Sequence, residues 1–335
     1  MMKGSKDPIF IVGCPRSGNT LIGCILNKHP KIYISFEQNI FRSLYTSWKE
    51  GVNEGMSAEN AFMISYAKSH NAKRCANQLG IEKYVIYETI RGANSWSELL
   101  NRYMGLLAEE SDSAIWGDKT PHHVGNMDKI KKHFSSANII YVYRNPYAVI
   151  NSLSNERFPH ASNRHLVCAE IVKEYRRVFI NKNNRKLNGD VFLLEYEQLI
   201  RGPVSVLKEL CSFIGVSYTS RMLKRAPTEV RKNVGWEDYK GWGELRKPAS
   251  QGKGSPRIGI LARSHVNPVC RELGYDPEPV PGEALLRMVG VVLLSPFLFL
   301  RAVLRLGWRR RHPDAGTFFL NYVPTPKELI RWVHK

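Results

Sequence analysis

Short apolar runs separated by helix-compatible stretches set the pattern of this chain. The runs Ile9–Val12, Ile139–Tyr143 and Val191–Leu194 are rich in β-branched or aromatic side chains, and Val85–Tyr87 is a weaker fourth run. The long stretches between them, including residues 38–110, predict crossover helices and therefore a parallel sheet. Ligands of such sheets bind beyond the carboxyl ends of the strands, so the residues that follow each run are the first candidates for chemistry.

A phosphate-binding loop follows the first run. Gly13, Gly18 and Thr20 keep the frame of the nucleotide-triphosphate loop, in which a strand leads through a turn into a helix. Asn19 stands where that loop carries its lysine, and Arg16 is the one cation within it. Backbone N–H groups and a helix N-terminus can still hold an anion here. The pattern therefore indicates a nucleotide phosphate site that lacks the lysine of triphosphate chemistry.

A second candidate phosphate site follows the run at residues 139–143. Arg144 ends that run, Pro146 predicts the start of a helix, and Ser152 lies further along the same helix. A guanidinium binds a phosphate through two parallel N–H bonds, and a helical serine can add a third donor. A structural ion pair is the alternative role for an arginine at a strand end. Together with the glycine loop, Arg144 indicates a ligand with two separate anionic groups.

The carboxyl-terminal part of the chain differs from the rest. The proline-rich residues 277–281 predict a linker that closes a domain of residues 7–276. Met288–Leu300 carries no charge and is flanked by arginines. A helix of that length spans about 20 Å, short of the roughly 30 Å hydrocarbon core of a bilayer. Residues 277–335 are therefore predicted to be a linker and an amphipathic or hydrophobic helical appendage that contacts a membrane surface through residues 284–311. A hairpin packed on the domain's own core is the alternative.

Charge narrows the range of partners. The 335 residues carry a net charge of +19, which calls for polyanionic ligands or an anionic surface. Nucleic acid is disfavoured, because the basic residues are not interleaved with glycine and aromatics and no zinc-finger or basic-zipper spacing occurs. Six cysteines without a CxxC pair and the lack of a secretory signal predict a cytoplasmic protein that is peripherally associated with membranes.

The two phosphate motifs resemble those of a known family. Residues 14–20 resemble the 5′-phosphosulfate loop, and residues 143–152 the 3′-phosphate site, of the sulfotransferases that use 3′-phosphoadenosine 5′-phosphosulfate (PAPS). Residues 196–199 and 272–276 resemble two further family segments, so the resemblance covers roughly residues 7–276. It implies an α/β fold in three layers, with a P-loop-like parallel sheet and helices on both faces. It assigns PAPS binding to Pro15, Arg16, Ser17, Gly18, Asn19, Thr20, Arg144, Ser152 and Tyr196. Core packing is the alternative role for Tyr196.

The resemblance also indicates a catalytic base. Residues 26–37 resemble the tyrosylprotein and glycan branches of the family, where such a stretch leads to a catalytic glutamate, and Glu37 occupies that place. Burial would raise the pKa of Glu37 and suit it to take the proton of an acceptor. A solvated or salt-bridged glutamate is the alternative. Phe36 and Gln38 depart from the acidic pair and arginine of that branch, which argues against a tyrosylprotein acceptor.

A lysine and two histidines complete the candidate site. Residues 116–123 resemble the Lys-Thr-Pro segment of the family, in which Lys119 would stabilise charge on the transferring group together with Arg16. His122 and His123 are alternative bases. A metal is not expected, because sulfuryl transfer needs none and no cluster of ligand residues has metal-binding spacing.

These features together predict a PAPS-dependent sulfotransferase that acts at the cytoplasmic face of a membrane. The expected acceptor is a hydroxyl of a carbohydrate or lipid-linked molecule, such as a glycan or glycolipid. Two alternatives are a P-loop kinase, which would need a lysine at position 19, and a non-catalytic membrane-associated protein that binds nucleotides. The sequence leaves the oligomeric state open, a homodimer included.

Overall fold

The structure, a computed structural model, describes residues 7–154, 191–224 and 260–282 together with Val172 and Tyr175. The chain divides into two compact units, one of Met1–Arg144 and Val178–Gln251, the other of Asn145–Arg177 and Gly252–Lys335. The predicted boundary at residue 276 stays a prediction. The predicted membrane-contacting segment, residues 284–311, lies outside the described residues. Within those residues, no helix combines the length and the apolar character needed to cross a membrane.

A parallel sheet forms the centre of the first unit. Its described strands are β1 (Ile9–Gly13), β2 (Ile32–Phe36), β3 (Ile115–Lys119), β4 (Asn138–Tyr143) and β5 (Val191–Glu195). They lie in the order β2-β3-β1-β4-β5, and each neighbouring pair is parallel. All five strands therefore end at the same edge of the sheet. The predicted parallel sheet is confirmed.

Helices connect the strands. The described helices are α1 (Asn19–Leu26), α2 (Tyr45–Asn53), α3 (Ala58–Lys68), α4 (His70–Gln78), α5 (Lys83–Ile90), α6 (Trp96–Glu109), α7 (Met127–His133), α8 (Pro146–Ser154), α9 (Tyr196–Arg201), α10 (Pro203–Ile214) and α11 (Ile260–Glu272). A π-helical turn at Ile40–Leu44 and 3₁₀ turns at Pro121–Asn126 and Ser220–Leu223 supplement them. The second unit contains α8 and α11, and α8 begins at Pro146 as the sequence predicts.

Alternating strand residues give the sheet of the first unit two apolar faces. Phe10 and Tyr141 belong to one buried cluster, which includes residues of α3–α7 and the aromatic side chains of α2. Ile11 and Ile140 belong to the opposite cluster, with residues of α1 and α10. Successive side chains of a strand point to opposite faces, so a fully buried run of this kind requires a layer of helices on each side. The predicted three-layer α/β fold is confirmed.

The sequence prediction at Val85–Tyr87 is wrong, because this run lies in helix α5. Ile86 and Ile90 are fully buried, while Tyr84 is 70% and Val85 41% exposed. Burial therefore follows the spacing of a helix face and not the alternation of a strand. The packing of α5 against the other helices on that face outweighs the β-propensity of a short run.

Two strands, β2 and β3, were not predicted. Strand β3 carries Gly117, Asp118 and Lys119, which are residue types that strands disfavour. All three are buried, and Oδ1 of Asp118 and Nζ of Lys119 have partners on or next to β2. Polar contacts between neighbouring strands thus compensate for a sequence that does not look like a buried strand.

Candidate active site

The phosphate loop connects β1 to α1 and depends on two glycines. Gly13 has φ 147°, and a Cβ at that position would lie 2.2 Å from the carbonyl oxygen of Val142 on β4. Gly18 has φ 101°, and a Cβ there would lie 2.5 Å from the ring of Tyr196. Both positions therefore exclude a side chain. The tight turn brings the N-terminus of α1 to the carboxyl edge of the sheet.

Asn19 closes the loop from within. Its Nδ2 atom donates a 2.8 Å hydrogen bond to the carbonyl oxygen of Cys14, so the side chain is tied back across the turn. Helix α1 has no side-chain cap and no acidic residue in its first turn. Its N-terminal N–H groups and dipole therefore favour an anion. Asn19 replaces the missing lysine as a structural tie, not as a cation.

The other predicted loop residues share this turn. Arg16 adopts φ 70°, a left-handed conformation that is uncommon outside glycine, and Ser17 is fully buried. Pro15 precedes them, and Thr20 lies in the first turn of α1. The structure thus brings Pro15, Arg16, Ser17, Gly18, Asn19 and Thr20 together at one helix N-terminus.

Arg144 and Tyr196 lie beside the loop, at the ends of β4 and β5. The guanidinium of Arg144 is 4.4 Å from the ring centroid of Tyr196, and its Nη1 atom donates a 3.4 Å hydrogen bond to the carbonyl oxygen of Arg16. Its Nε atom is 3.9 Å from Oε1 of Glu197. The predicted second anion site and the phosphate loop are therefore adjacent. Ser152 lies on α8 in the second unit.

Glu37 and Lys119 form an ion pair at the same edge of the sheet. The Nζ atom of Lys119 is 2.6 Å from Oε1 of Glu37, and the Glu37 N–H donates a 2.8 Å hydrogen bond to the Lys119 carbonyl oxygen. The Lys119 side chain is 3% exposed and that of Glu37 is 42% exposed. Lys119 also lies over the ring of Phe36, 5.2 Å from its centroid. A buried cation is thus held beneath a carboxylate that solvent can reach.

The charges around Glu37 lower its pKa, whereas the sequence predicts that burial raises it. Burial raises the pKa of this carboxyl, but the charge and hydrogen bond of Lys119, with the charges of His122 and Arg74, lower it by more. The net pKa therefore lies below the ordinary value of 4.5. The sequence predicts an increase from burial alone, and that prediction leaves out the cation on β3.

The two candidate histidines differ in their surroundings. His123 is fully buried, and its Nε2 atom accepts a 3.3 Å hydrogen bond from the N–H of Phe41. Its Nδ1 atom is therefore the protonated one and lies 3.4 Å from Oδ2 of the buried Asp118. Burial lowers the pKa of His123 to about 3 and raises that of Asp118 to about 6. His123 is a neutral core residue, whereas His122 is half-buried and close enough to influence Glu37.

Comparison with known proteins identifies the family. The sulfotransferase family matches residues 8–220, more than half of the chain. The chain belongs to the sulfotransferase family. It is 20% identical to protein-tyrosine sulfotransferase A of Caenorhabditis elegans over 287 residues, which are 82% of this chain and 68% of that protein. It is also 20% identical to protein-tyrosine sulfotransferase 2 of Gallus gallus over 295 residues, 82% of this chain and 70% of that protein.

The fold of this sulfotransferase is similar to that of a solved relative. The sulfotransferase domain from the Synechococcus PCC 7002 olefin synthase superimposes with a TM-score of 0.54 at 18% identity, covering 83% of this chain and 99% of that domain. The family match confirms the predicted enzyme class, a sulfotransferase, and the superposition confirms the predicted α/β fold.

Sequence reasoning missed several side chains of the site. Asn71 and Arg74 on α4 donate hydrogen bonds to the carbonyl oxygens of Glu37 and Phe36. Asp118 accepts from Ser35 and from a backbone N–H next to Glu37. Asp118 could have been singled out as the carboxylate directly before Lys119. Asn71 and Arg74 give no local signal, because only the fold brings α4 to this edge.

Proposed function

We propose that this sulfotransferase binds PAPS across the phosphate loop and Arg144. The observation that supports the proposal is the adjacency of two elements suited to bind anions, the N-terminus of α1 and the guanidinium of Arg144, which are joined by the 3.4 Å bond from Arg144 to the loop. PAPS carries a 5′-phosphosulfate and a 3′-phosphate, one for each element. Arg16, Ser17 and Thr20 would contact the first group and Arg144 the second.

In the proposed reaction, Glu37 and Lys119 act on the sulfuryl transfer from PAPS to the acceptor. The acceptor oxygen attacks sulfur, the bond from sulfur to the bridging oxygen breaks, and adenosine 3′,5′-bisphosphate leaves. Glu37 takes the acceptor proton, while Lys119 and Arg16 stabilise the negative charge that develops on the leaving phosphate. An anionic donor near Lys119 would draw the ammonium away from Glu37. The pKa of Glu37 would then rise, and the base would become stronger when the donor is present.

The acceptor that we propose is a hydroxyl of a carbohydrate or lipid-linked molecule. Gln38, which follows the base, is fully buried and accepts a 3.0 Å hydrogen bond from the hydroxyl of Tyr103 through Oε1. Its side chain therefore packs in the core, and as an uncharged amide it provides no cation for an acidic peptide. Protein tyrosine is the second candidate, because relatives at 20% identity are protein-tyrosine sulfotransferases.

An acceptor panel separates these candidates. The full chain is incubated with labelled PAPS and with neutral glycans, glycolipids or tyrosine peptides, and the label in each product is counted. Label in the glycan or glycolipid products supports the proposal. Label confined to tyrosine peptides would replace the proposed acceptor with the second candidate and leave the enzyme class intact.

A membrane role for residues 284–311 is part of the proposal. The segment includes the uncharged Met288–Leu300 with arginines on either side, a composition suited to anionic bilayer surfaces. We expect the full chain to cosediment with vesicles containing phosphatidylserine and to remain in solution with neutral vesicles. Equal cosedimentation with both vesicle types, or no cosedimentation with either, would contradict the proposed membrane role.

A further inference from the structure

Helix α4 reaches the turn that carries Glu37. The Nδ2 atom of Asn71 donates a 2.7 Å hydrogen bond to the Glu37 carbonyl oxygen, and Nη2 of Arg74 donates a 3.0 Å bond to the Phe36 carbonyl oxygen. The two donors are three positions apart, so they lie on one face of the helix. Two successive carbonyls, one on each side of the Glu37 N–H, are therefore bound by the same helix.

The turn needs such support because its backbone is strained. Glu37 has φ 58° and Asn39 has φ 55°, left-handed values that cost energy for residues with a side chain. Sheet pairing ends here, at the bond from the Glu37 N–H to Lys119. Beyond it, Asn39 donates a 3.1 Å hydrogen bond back to the Glu37 carbonyl oxygen, and the Gln38 N–H donates one to Asp118. Strain held by surrounding contacts is typical of a functional position.

Arg74 supplies more than the bond to Phe36. Within the described part of the chain, its Nε atom is buried and has no hydrogen-bond partner, an arrangement that costs stability. Its charge acts on Glu37, as do the charges of Lys119 on β3 and His122 in the following turn. A residue needed only to bind a carbonyl could be a neutral amide, as Asn71 is. The guanidinium differs in carrying a charge, which lowers the pKa of Glu37 by less than Lys119 does.

We propose that Asn71 and Arg74 are positioning residues that hold the Glu37 carboxylate on Lys119, with Asn71 fixing the backbone and Arg74 also setting the charge around the carboxylate. This inference rests on the proposed role of Glu37 as the base. It gives the helical segment between β2 and β3 a part in catalysis in addition to its part in covering the sheet.

The first test compares Asn71→Ala with Lys73→Ala, a truncation to alanine at an exposed position of the same helix. Loss of one hydrogen bond to the strained turn is expected to lower kcat roughly tenfold in Asn71→Ala. KM for PAPS is expected to stay unchanged, as are both constants in Lys73→Ala. In the Glu37→Gln background, Asn71→Ala is expected to have no further effect, because the residue acts through Glu37.

The second test uses the pH dependence of kcat/KM, which reports the pKa of the free enzyme's base. Arg74→Gln removes a charge that lowers the pKa of Glu37, so the acid limb is expected to move to higher pH. Arg74→Lys keeps the charge but loses the guanidinium fork, so its acid limb is expected to stay in place while kcat falls. A merely structural contact would lower kcat in both variants without moving the limb.

The outcomes separate this inference from the proposed function. The inference and the proposed role of Glu37 as the base are both overturned if Glu37→Gln keeps wild-type turnover, whereas PAPS binding and the enzyme class are not. The positioning role alone is overturned if Glu37→Gln is inactive while Asn71→Ala and Arg74→Gln behave like Lys73→Ala. Binding of adenosine 3′,5′-bisphosphate, measured by calorimetry on each variant, identifies any variant that has failed to fold. The Asn71 and Arg74 variants are tested separately. If one of them fails to fold, the other still tests the positioning role.

Discussion

Replacing Glu37 with glutamine is expected to lower kcat of PAPS-dependent transfer about a thousandfold, in the range typical for loss of a general base. The amide is close in size to the carboxylate and can still accept a hydrogen bond from Lys119, but it cannot take the acceptor's proton. Steady-state rates with labelled PAPS and the best acceptor of the panel measure the effect. Affinity for adenosine 3′,5′-bisphosphate is expected to change little, since Glu37 lies outside the phosphate loop.

Glu54→Gln is the matched control for this change. Glu54 is an exposed carboxylate at the end of α2, so the same substitution there is expected to leave kcat unaltered. Wild-type kcat in Glu37→Gln would contradict the assignment of the base. His122→Gln would then be the next variant to examine, because His122 is half-buried and lies near the carboxylate, whereas His123 is enclosed in the core.

Replacing Arg144 with alanine is expected to weaken binding of adenosine 3′,5′-bisphosphate by roughly 10- to 100-fold. A charge-assisted hydrogen bond to phosphate contributes about 1.5–3 kcal/mol, and a guanidinium can form two. The variant also loses the cation over the ring of Tyr196 and the bond to the Arg16 carbonyl oxygen. Calorimetry on both forms gives the two dissociation constants.

Arg201→Ala controls for the loss of positive charge. Arg201 is 73% exposed and pairs with Glu195 at 3.4 Å, close in the fold to the carboxyl end of β5. We expect its removal to change the dissociation constant by less than about twofold, because exposed charges are screened. Equal weakening in both variants would mean that Arg144 contributes only to the general positive field and does not contact the ligand.

The residues of the candidate phosphate sites could be singled out from sequence because their signals are local. Glycines at positions 13 and 18, a following helix and an arginine directly after a strand specify backbone geometry within a few residues. Lys119 was found through the segment around it. In the structure these residues follow or end parallel strands, and the sheet gathers the carboxyl ends of its strands at one edge.

The surroundings of Glu37 could not be predicted in the same way. The direction of its pKa depends on Lys119, which lies 82 positions away in sequence and 2.6 Å away in space. Strand β3 was missed because its glycine, aspartate and lysine are stabilised by β2 and the turn after it, not by their own propensity. Asn71 and Arg74 depend on the packing of α4, which no local pattern encodes.

Titration calorimetry of the full chain in EDTA, with adenosine 3′,5′-bisphosphate and with adenosine 5′-monophosphate, tests the two-site donor account most directly. We expect the bisphosphate to bind without Mg²⁺ and at least tenfold more tightly than the monophosphate, because only the bisphosphate occupies both anion sites. Equal affinity for the two nucleotides would contradict it. Tighter binding of ATP with Mg²⁺, accompanied by hydrolysis, would also contradict it and favour a kinase-like site.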